Sequence, residues 1–267
     1  MKQIDTAELK TLQMDVLSAV HRFCEEKNIR YTMSCGTMLG CVRHKGYIPW
    51  DDDIDIYMLR GDYNKLIESF PETYEGRYKF VTLERDSKWN RAYGKIFDTH
   101  TVVKERTSVA YELGINIDVF PIDNVPDDET EWQEYDRRRR FLQNIYQMKV
   151  TTFRSGRAFR KNLFLAMCKV LLLPFTSRCI AQYIQKFSTR FDQQDTRRVF
   201  ECCQGIHLKQ PFKKSLFDNL TLMPFEDREF MAFVDFDEYL TNGYGNWHQL
   251  PSKEKQVTHH AFLAWWK

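Results

Sequence analysis

The stretch GYIPWDDDIDIYM, Gly46 to Met58, holds four aspartates in five positions: Asp51, Asp52, Asp53 and Asp55. Like charges this close repel, and they share their segment with Ile54 and Ile56. Side chains alternate along a strand, so Asp51, Asp53 and Asp55 are expected on one face and Asp52, Ile54 and Ile56 on the other. On that reading the isoleucines anchor the strand, Asp52 is structural, and the other three aspartates line a cleft. Two carboxylates two residues apart can clamp a hard divalent cation, Mg2+ or Mn2+, which turns their repulsion into attraction. Asp53 and Asp55 are the candidate metal pair. Asp51 shares their face.

Two further segments extend the chemistry. In LGINIDVFPID, residues 113–123, Ile115, Ile117 and Val119 alternate with Asn116, Asp118 and Phe120, and Pro121 is expected to close the strand. Asp118 can complete the metal site and help to deprotonate an attacking hydroxyl, and three carboxylates suffice for two ions. In CGTMLG, residues 35–40, a glycine turn opens a helix, where exposed N–H groups can hold a phosphate; Gly36 and Thr37 are the candidates. A D-x-D pair or a glycine turn alone is common. Together, with Asp53, Asp55 and Asp118 as the catalytic set, they suit phosphoryl or nucleotidyl transfer.

Four neighbours complete the candidate site. Arg43 can bind phosphate through both arms of its guanidinium. His44 either contacts phosphate or caps the helix end. Trp50 stacks on a base or braces the turn after Pro49, and bracing fits the IPW context better. Lys95, in YGKIFD, is a phosphate or base contact or a plain surface lysine.

The elements that must position these groups follow from periodicity. A first helix runs from Thr6, its expected cap, with Leu9, Leu12, Val16, Leu17, Val20 and Phe23 at helical spacing, and Asn28 ends it. IRYTMS reads as a half-buried strand, MLGCVRH as a short helix ended by Gly46, residues 62–70 as a helix, and YKFVTLE and YGKIFD as strands. From Asp127 to about Arg198 the pattern is helical, with YDRRRR a solvated face. TLMPFEDREFMAFV reads as a strand and DFDEYLTNGYG as a helix. The fold class is α+β, a small mixed sheet flanked by helices with a helical insertion. One domain over 1–267 is expected: a core at 1–125, a helical region at 126–200, and a part completing the fold at 201–267.

The 39 basic and 37 acidic residues leave a net +2, which predicts no large basic field, by itself excludes neither a nucleic-acid nor a membrane partner, and weakens an RNA reading; no nucleic-acid partner is expected. Seven scattered cysteines and a start lacking an apolar leader point to reduced thiols in the cytoplasm. Cys202, Cys203, His207, His259 and His260 read as scattered structural residues. No apolar run reaches the ~18 residues of a membrane span. The nearest, LFLAMCKVLLLPF, follows Arg154, Arg157, Arg160 and Lys161. It is either a buried helix or, over 154–175, a peripheral contact with the inner membrane face.

GTMLGCVRHKGYIPWDDDIDIYM resembles the signature of the LicD family of phosphocholine transferases, GINIDVFPID its second motif, and YGNWHQLPSKEKQVTHH its C-terminal segment. The resemblance is weakest from Asp127 to about Thr221. Met38 stands where the family has Leu and Cys41 where Ala is common, both packing changes. The resemblance implies a nucleotidyltransferase-like core, a distant relation to fukutin-related protein, and metal carboxylates on adjacent strands. It assigns Gly36 and Thr37 to phosphate, Asp53 and Asp55 to metal, and Asp118 as third carboxylate and base. The implied reaction moves phosphocholine from CDP-choline to a sugar hydroxyl of a surface glycan (teichoic acid, lipopolysaccharide or a capsule precursor, lipid-linked or free), releasing CMP. A choline pocket needs aromatic faces, and Tyr93, Tyr111, Tyr244, Trp247, Trp265 and Trp266 are all open. Transfer of glycerol or ribitol phosphate, AMP transfer, and a non-catalytic scaffold are the competing readings; the three carboxylates argue against the last.

Overall fold

The apolar spacing at the N-terminus produces a helix in the computed structural model of the chain, which describes residues 2–104, 111–153, 156, 158–204, 208–257 and 263–267. In chain order the elements are β1 (Gln3–Ile4), α1 (Thr6–Lys27), β2 (Thr32–Met33), α2 (Cys35–His44), β3 (Asp55–Leu59), α3 (Arg60–Ser69), β4 (Tyr78–Val81), β5 (Gly94–Asp98) and β6 (Thr101–Lys104). Then come β7 (Asn116–Val125), α4 (Glu129–Val150), α5 (Phe159–Leu171), α6 (Ser177–Ser188), β8 (Arg198–Phe200), β9 (Phe212–Lys213), β10 (Leu220–Phe225), β11 (Arg228–Phe233), α7 (Phe236–Tyr244) and β12 (Leu263–Trp266). The fold is α+β.

The main sheet has the order β2-β3-β7-β5-β4, with β8 and β9 continuing along the far half of β7. Among the described strands β3 and β7 form the one parallel pair; the other pairings are antiparallel. A smaller sheet, β1-β12-β6, closes over Ile4, Leu9, Leu12 and Ile115, and β10-β11 is a separate hairpin. The largest core lies between the main sheet, α1, α2 and the hairpin, with Tyr31, Tyr57, Phe80, Phe200 and Phe230 fully buried.

Several local expectations are corrected. The α1 cap is Asp5, whose extended backbone lets its carboxylate accept from Glu8 N–H at 2.8 Å, while Thr6 is already helical. Asn28 does end α1, in a left-handed conformation with φ 51°. IRYTMS supplies a strand of two residues, and it is covered on both sides, since Thr32 and Ser34 are as inaccessible as Met33. Helix α2 begins at Cys35 and ends on the left-handed Lys45, φ 61°, not on Gly46. TLMPFEDREFMAFV is a hairpin turning at Glu226, φ 57°, and Asp227. Residues 135–140 are not a uniformly solvated face: Tyr135, Asp136 and Arg139 are buried, and Asp136 accepts from Arg139 and Arg140.

Pro121 does not close its strand, and hydrogen-bond direction explains why. Asp118 N–H donates to Ile54 O on the β3 side, so the residues one position off in phase face the other way. The missing Pro121 donor would point to the side held by β5 and β8. There β5 pairs residues 116–119 and β8 pairs residues 123–125, so position 121 falls in the gap and no ladder bond is lost.

The parallel pair is clamped just beyond its last rung, Leu59 opposite Ile122. Arg60 donates to both oxygens of Asp123, at 2.6 and 3.0 Å, and both side chains are buried. Arg60→Met leaves a buried carboxylate without its counter-charge and is expected to cost about 3–5 kcal/mol. The double variant Arg60→Met/Asp123→Leu should cost less than either single change, measured by urea unfolding; equal or additive losses would refute the clamp.

Candidate active site

Strand register brings the distant acids together. Asp55 on β3 lies opposite Asp118 on β7, and Asp118 lies opposite Lys95 on β5. The three side chains therefore share one rung across three central strands, with neighbouring strands about 4.8 Å apart. Lys95 Nζ pairs with Asp118 Oδ1 at 2.5 Å and donates to Asn116 Oδ1 at 2.9 Å. Lys95 is thus a buried group of the site, not a surface lysine.

Helix α2 fixes the backbone of Asp55 from both sides. Thr37 Oγ1 accepts from Asp55 N–H at 2.9 Å, and Ser34 N–H donates to Asp55 O at 2.9 Å. Thr37, read as a phosphate contact, is buried in this positioning role. Cys35, the first helical residue, is left-handed at φ 47°, and Tyr239 OH accepts from its N–H at 2.9 Å. Its thiol lies 3.3 Å from Tyr57 OH.

The strand β3 starts only at Asp55, so Asp51 and Asp53 lie in the loop before it and strand alternation does not place them. They reach the cluster because the loop folds back across α2. Glu226 at the hairpin tip accepts from Tyr47 N–H at 2.8 Å and donates through its own N–H to Lys45 O at 2.8 Å. A Cβ on Gly40 would stand 2.4 Å from Gly46 O, so the crossing needs glycine there. A Cβ on Gly36 would stand 2.3 Å from Asp51 Oδ2. Gly36 is therefore the floor on which the Asp51 carboxylate rests, beside the first turn of α2. Asp52 is buried apart from these, with Gln13 donating to its carbonyl at 2.9 Å.

The electrostatics follow from crowding. Burial pushes the Asp55 carboxyl well above the usual carboxylate range, and repulsion from Asp53, Asp118 and Asp51 adds to it. Asp51 is pushed up to about 7 by burial, then by Asp53 through both charge and a hydrogen bond, and by Asp52. Asp118 is raised by burial against the opposing pull of Lys95 and Arg91. The cluster is short of positive charge. Its donors are all carboxylate oxygens, which suit a hard divalent cation. Among the described residues no three acids, histidines or cysteines already converge as ligands, and Asp118 Oδ1 is engaged by Lys95. The donor chemistry fits Mg2+ or Mn2+, with the side chains not yet gathered around a centre.

The remaining expected residues spread around this cluster. Arg43 donates to Trp247 O at 2.9 Å and to His44 Nε2 at 3.0 Å. Burial lowers the His44 pKa, and Arg43 adds to the effect. Trp50 packs against the core and meets His44 edge-on at 6.3 Å, which is the bracing role. Cys202 and Cys203 are buried beside Tyr135 and Arg60, whereas His207, His259 and His260 lie outside the described residues.

Sequence reasoning did not single out Tyr57, Tyr239, Arg91 or Glu226. Tyr57 was within reach, since it lies two residues beyond Asp55 on the same face. Tyr239 and Glu226 act from distant segments and carry no local signal. Burial raises the Tyr244 hydroxyl well above its ordinary range, and the charges of Cys35, Asp55, Asp51 and Asp53 add to the rise.

Residues 28–159 match the family model described as LicD/FKTN/FKRP, nucleotidyltransferase domain. The chain carries a LicD-family domain over those 132 of its 267 residues. It is 29% identical over 271 residues, 99% of each chain, to the lipopolysaccharide cholinephosphotransferase LicD of Haemophilus influenzae. It is also 30% identical over 106 residues to an uncharacterised protein of Rickettsia prowazekii, covering 40% of this chain and 39% of that one. A similar protein of Rickettsia typhi is 32% identical over 80 residues, 30% of this chain and 26% of the relative. The LicD-family match contains the whole rung and the loop of Asp51 and Asp53. Tyr244 and Trp247 fall outside that match and inside the full-length likeness.

Gly36→Ala tests the floor. An added methyl meets the movable end of Asp51, so stability should change by about 1 kcal/mol or less. Displacing that carboxylate by an ångström should lower turnover roughly a hundredfold. Normal turnover in the folded variant would remove Asp51 from the working site.

Proposed function

We propose that the protein transfers phosphocholine from CDP-choline to a sugar hydroxyl of lipopolysaccharide or another surface glycan. The observation that carries this reading is the 29% identity across 99% of both chains to a lipopolysaccharide cholinephosphotransferase. The rung of Lys95, Asp118 and Asp55 supports it, because phosphoryl transfer needs fixed charge more than covalent chemistry. The enzyme is a transferase. Teichoic acid and capsule precursors present the same hydroxyl and are alternative acceptors.

Asp53, Asp55 and Asp118 would hold one or two divalent cations, with Asp51 behind them. A cation bound there would neutralise charge on the diphosphate and on the departing CMP. The acceptor oxygen attacks the phosphorus that bears choline, the bond to the CMP oxygen breaks, and the hydroxyl proton passes to Asp118. Lys95 keeps Asp118 ionised and aligned for that proton until substrate arrives. The α2 N-terminus, at Gly36, offers N–H groups to phosphate oxygens.

Of the aromatic candidates for the choline pocket, Tyr244 has a hydroxyl that feels the charges of Asp55, Asp51 and Asp53, and Tyr93 packs on Phe120 at 4.5 Å, two residues beyond Asp118 on its face. Tyr111 faces Trp89 and bonds Asp86, and Trp265 and Trp266 belong to the smaller sheet, so these three are set aside. Trp247 is held by Asp237 and stacks on His248.

Purified protein, incubated with Mg2+, acceptor glycan and each of CDP-choline, CDP-glycerol and CDP-ribitol, should release CMP fastest from CDP-choline. Chelation should stop the reaction. Asp55→Asn or Asp118→Asn should lower turnover by roughly three orders of magnitude. Release from CDP-glycerol or CDP-ribitol alone would reassign the head group, and activity in EDTA would remove the cation. Separately, Tyr244→Leu should raise KM for CDP-choline about tenfold, as loss of a cation–π face predicts. An equal rise for CDP-glycerol would deny Tyr244 that role.

A further inference from the structure

Helix α5 turns its apolar side outward. Leu165 is its buried residue, and the opposite side carries Phe159, Leu163, Met167 and Val170 in one stripe at helical spacing, flanked by Phe164 and Leu171. Phe159 is 79% exposed, Leu171 76% and the following Leu173 71%. Phe175 beyond the helix and Phe141 on α4 are also exposed. Isolated exposed apolar residues are ordinary, but so many on one short helix form the kind of patch that marks an interaction surface.

Charge says what covers it. From Arg137 to Phe191 the chain has thirteen lysines and arginines and no aspartate or glutamate. The other 26 basic residues therefore stand against all 37 acidic ones, and the near-neutral total hides a strongly cationic helical segment. Arg138, Arg139 and Arg140 are paired with Glu134 and Asp136, Arg178 is held by backbone carbonyls, and Lys149 and Lys169 donate to Leu172 O and Lys149 O, each at 2.9 Å. Arg160 and Lys161 are exposed beside the apolar stripe, as is Lys186 on α6.

We propose that this face docks on an anionic phospholipid surface, with the α5 stripe at the headgroup–acyl boundary and Arg160 and Lys161 at the lipid phosphates. The helix has 13 residues, a length of about 20 Å against the ~30 Å of a bilayer core. Among the described residues no helix is long and apolar enough to cross a membrane. A second copy of the same face would bring like charge against like charge. Basic charge set around a broad apolar stripe fits lipid better than a nucleic-acid backbone, which offers no apolar layer.

The surface is also tied to the catalytic side. Tyr146 of α4 donates to Asn90 O at 2.9 Å, Asn90 donates to Ser177 at the start of α6 at 3.0 Å, and Arg178 donates to the carbonyls of Leu83, Asp86 and Trp89. The next residue, Arg91, acts on Asp118. If the transfer reading holds, a lipid-linked acceptor would lie in the plane on which the protein rests; the docking itself does not depend on that reading.

Vesicle co-sedimentation tests it. The protein should bind phosphatidylcholine vesicles containing about a third phosphatidylglycerol, bind pure phosphatidylcholine far less, and release at high salt. Arg160→Glu/Lys161→Glu should weaken binding by at least about tenfold. Phe159→Ser/Phe164→Ser should weaken it comparably, with circular dichroism and thermal midpoint unchanged because these side chains are exposed. Failure of the parent to bind either vesicle, equal binding to both, or indifference to both variants overturns the proposal. So does a dimer that the Phe159→Ser/Phe164→Ser variant dissociates when no vesicle binding is seen. Vesicle binding by a protein that releases no CMP leaves the docking intact and counts against the transfer reading alone.

Discussion

Everything in this fold answers to one constraint: buried carboxylates held side by side against their own repulsion. The parallel pairing of β3 with β7 sets Asp55 directly opposite Asp118, and strand spacing leaves them about 5 Å apart at the backbone. Burial raises both carboxyls; Asp53, Asp118 and Asp51 add to the rise of Asp55, while Lys95 and Arg91 pull against that of Asp118. Left to itself, such a pair would splay the strands or slip the register. A slip of one residue would turn Asp55 into the core and Ile56 into the cleft. The register is held from outside the pair, by Thr37 and Ser34 at one end and by the buried Arg60–Asp123 bridge at the other. Lys95 supplies the one positive charge on the rung itself.

The same logic extends to the loop that brings Asp51 and Asp53 in. It is pinned by a glutamate on a hairpin almost two hundred residues away in sequence and by close backbone approach over Gly40. Cys35 is kept left-handed at φ 47° where an L side chain is strained, with Tyr239 accepting from its amide. Strain and repulsion of this kind persist only where surrounding packing over-determines them. Here that packing is the aromatic core of Tyr31, Tyr57, Phe230 and Phe233 that joins the sheet to α1 and the hairpin. Stability is gathered in the apolar layers and expended at the acids, a division common at functional sites.

The sequence was most legible where local pattern and tertiary role coincide. Helix α1, strands β4 and β5, and the apolar face of β7 follow from periodicity, and strand register sets Asp55 opposite Asp118. Strand alternation holds only from Asp55 onward, and Asp51 and Asp53 are brought in by a folded loop. Pro121 misled because a rule about proline donors was applied without knowing that a gap between β5 and β8 lies beside it. Thr6 and Gly46 misled for a common reason. Several residues near a helix end can stop or cap it, and the choice falls on backbone geometry that a neighbouring segment imposes. What could not be read at all were the long-range partners Tyr239 and Glu226, because nothing local distinguishes a positioning tyrosine or glutamate from an ordinary one.

Net charge was the least informative number and charge placement the most. A total of +2 argues against a basic field only if the charges are mixed. In this chain they are separated. Acidic groups gather at residues 51–55 and Asp118, and a run of 55 residues, from Arg137 to Phe191, carries basic groups alone. Such separation has a physical consequence for orientation. Attraction to an anionic surface is concentrated in the helical segment, whatever the overall charge. The exposed apolar stripe on α5 then lies on the attracted side, so the hydrophobic and electrostatic contributions act on the same face. Two independent features that select one face constrain orientation more than either could alone, because a rotation that loses one loses both.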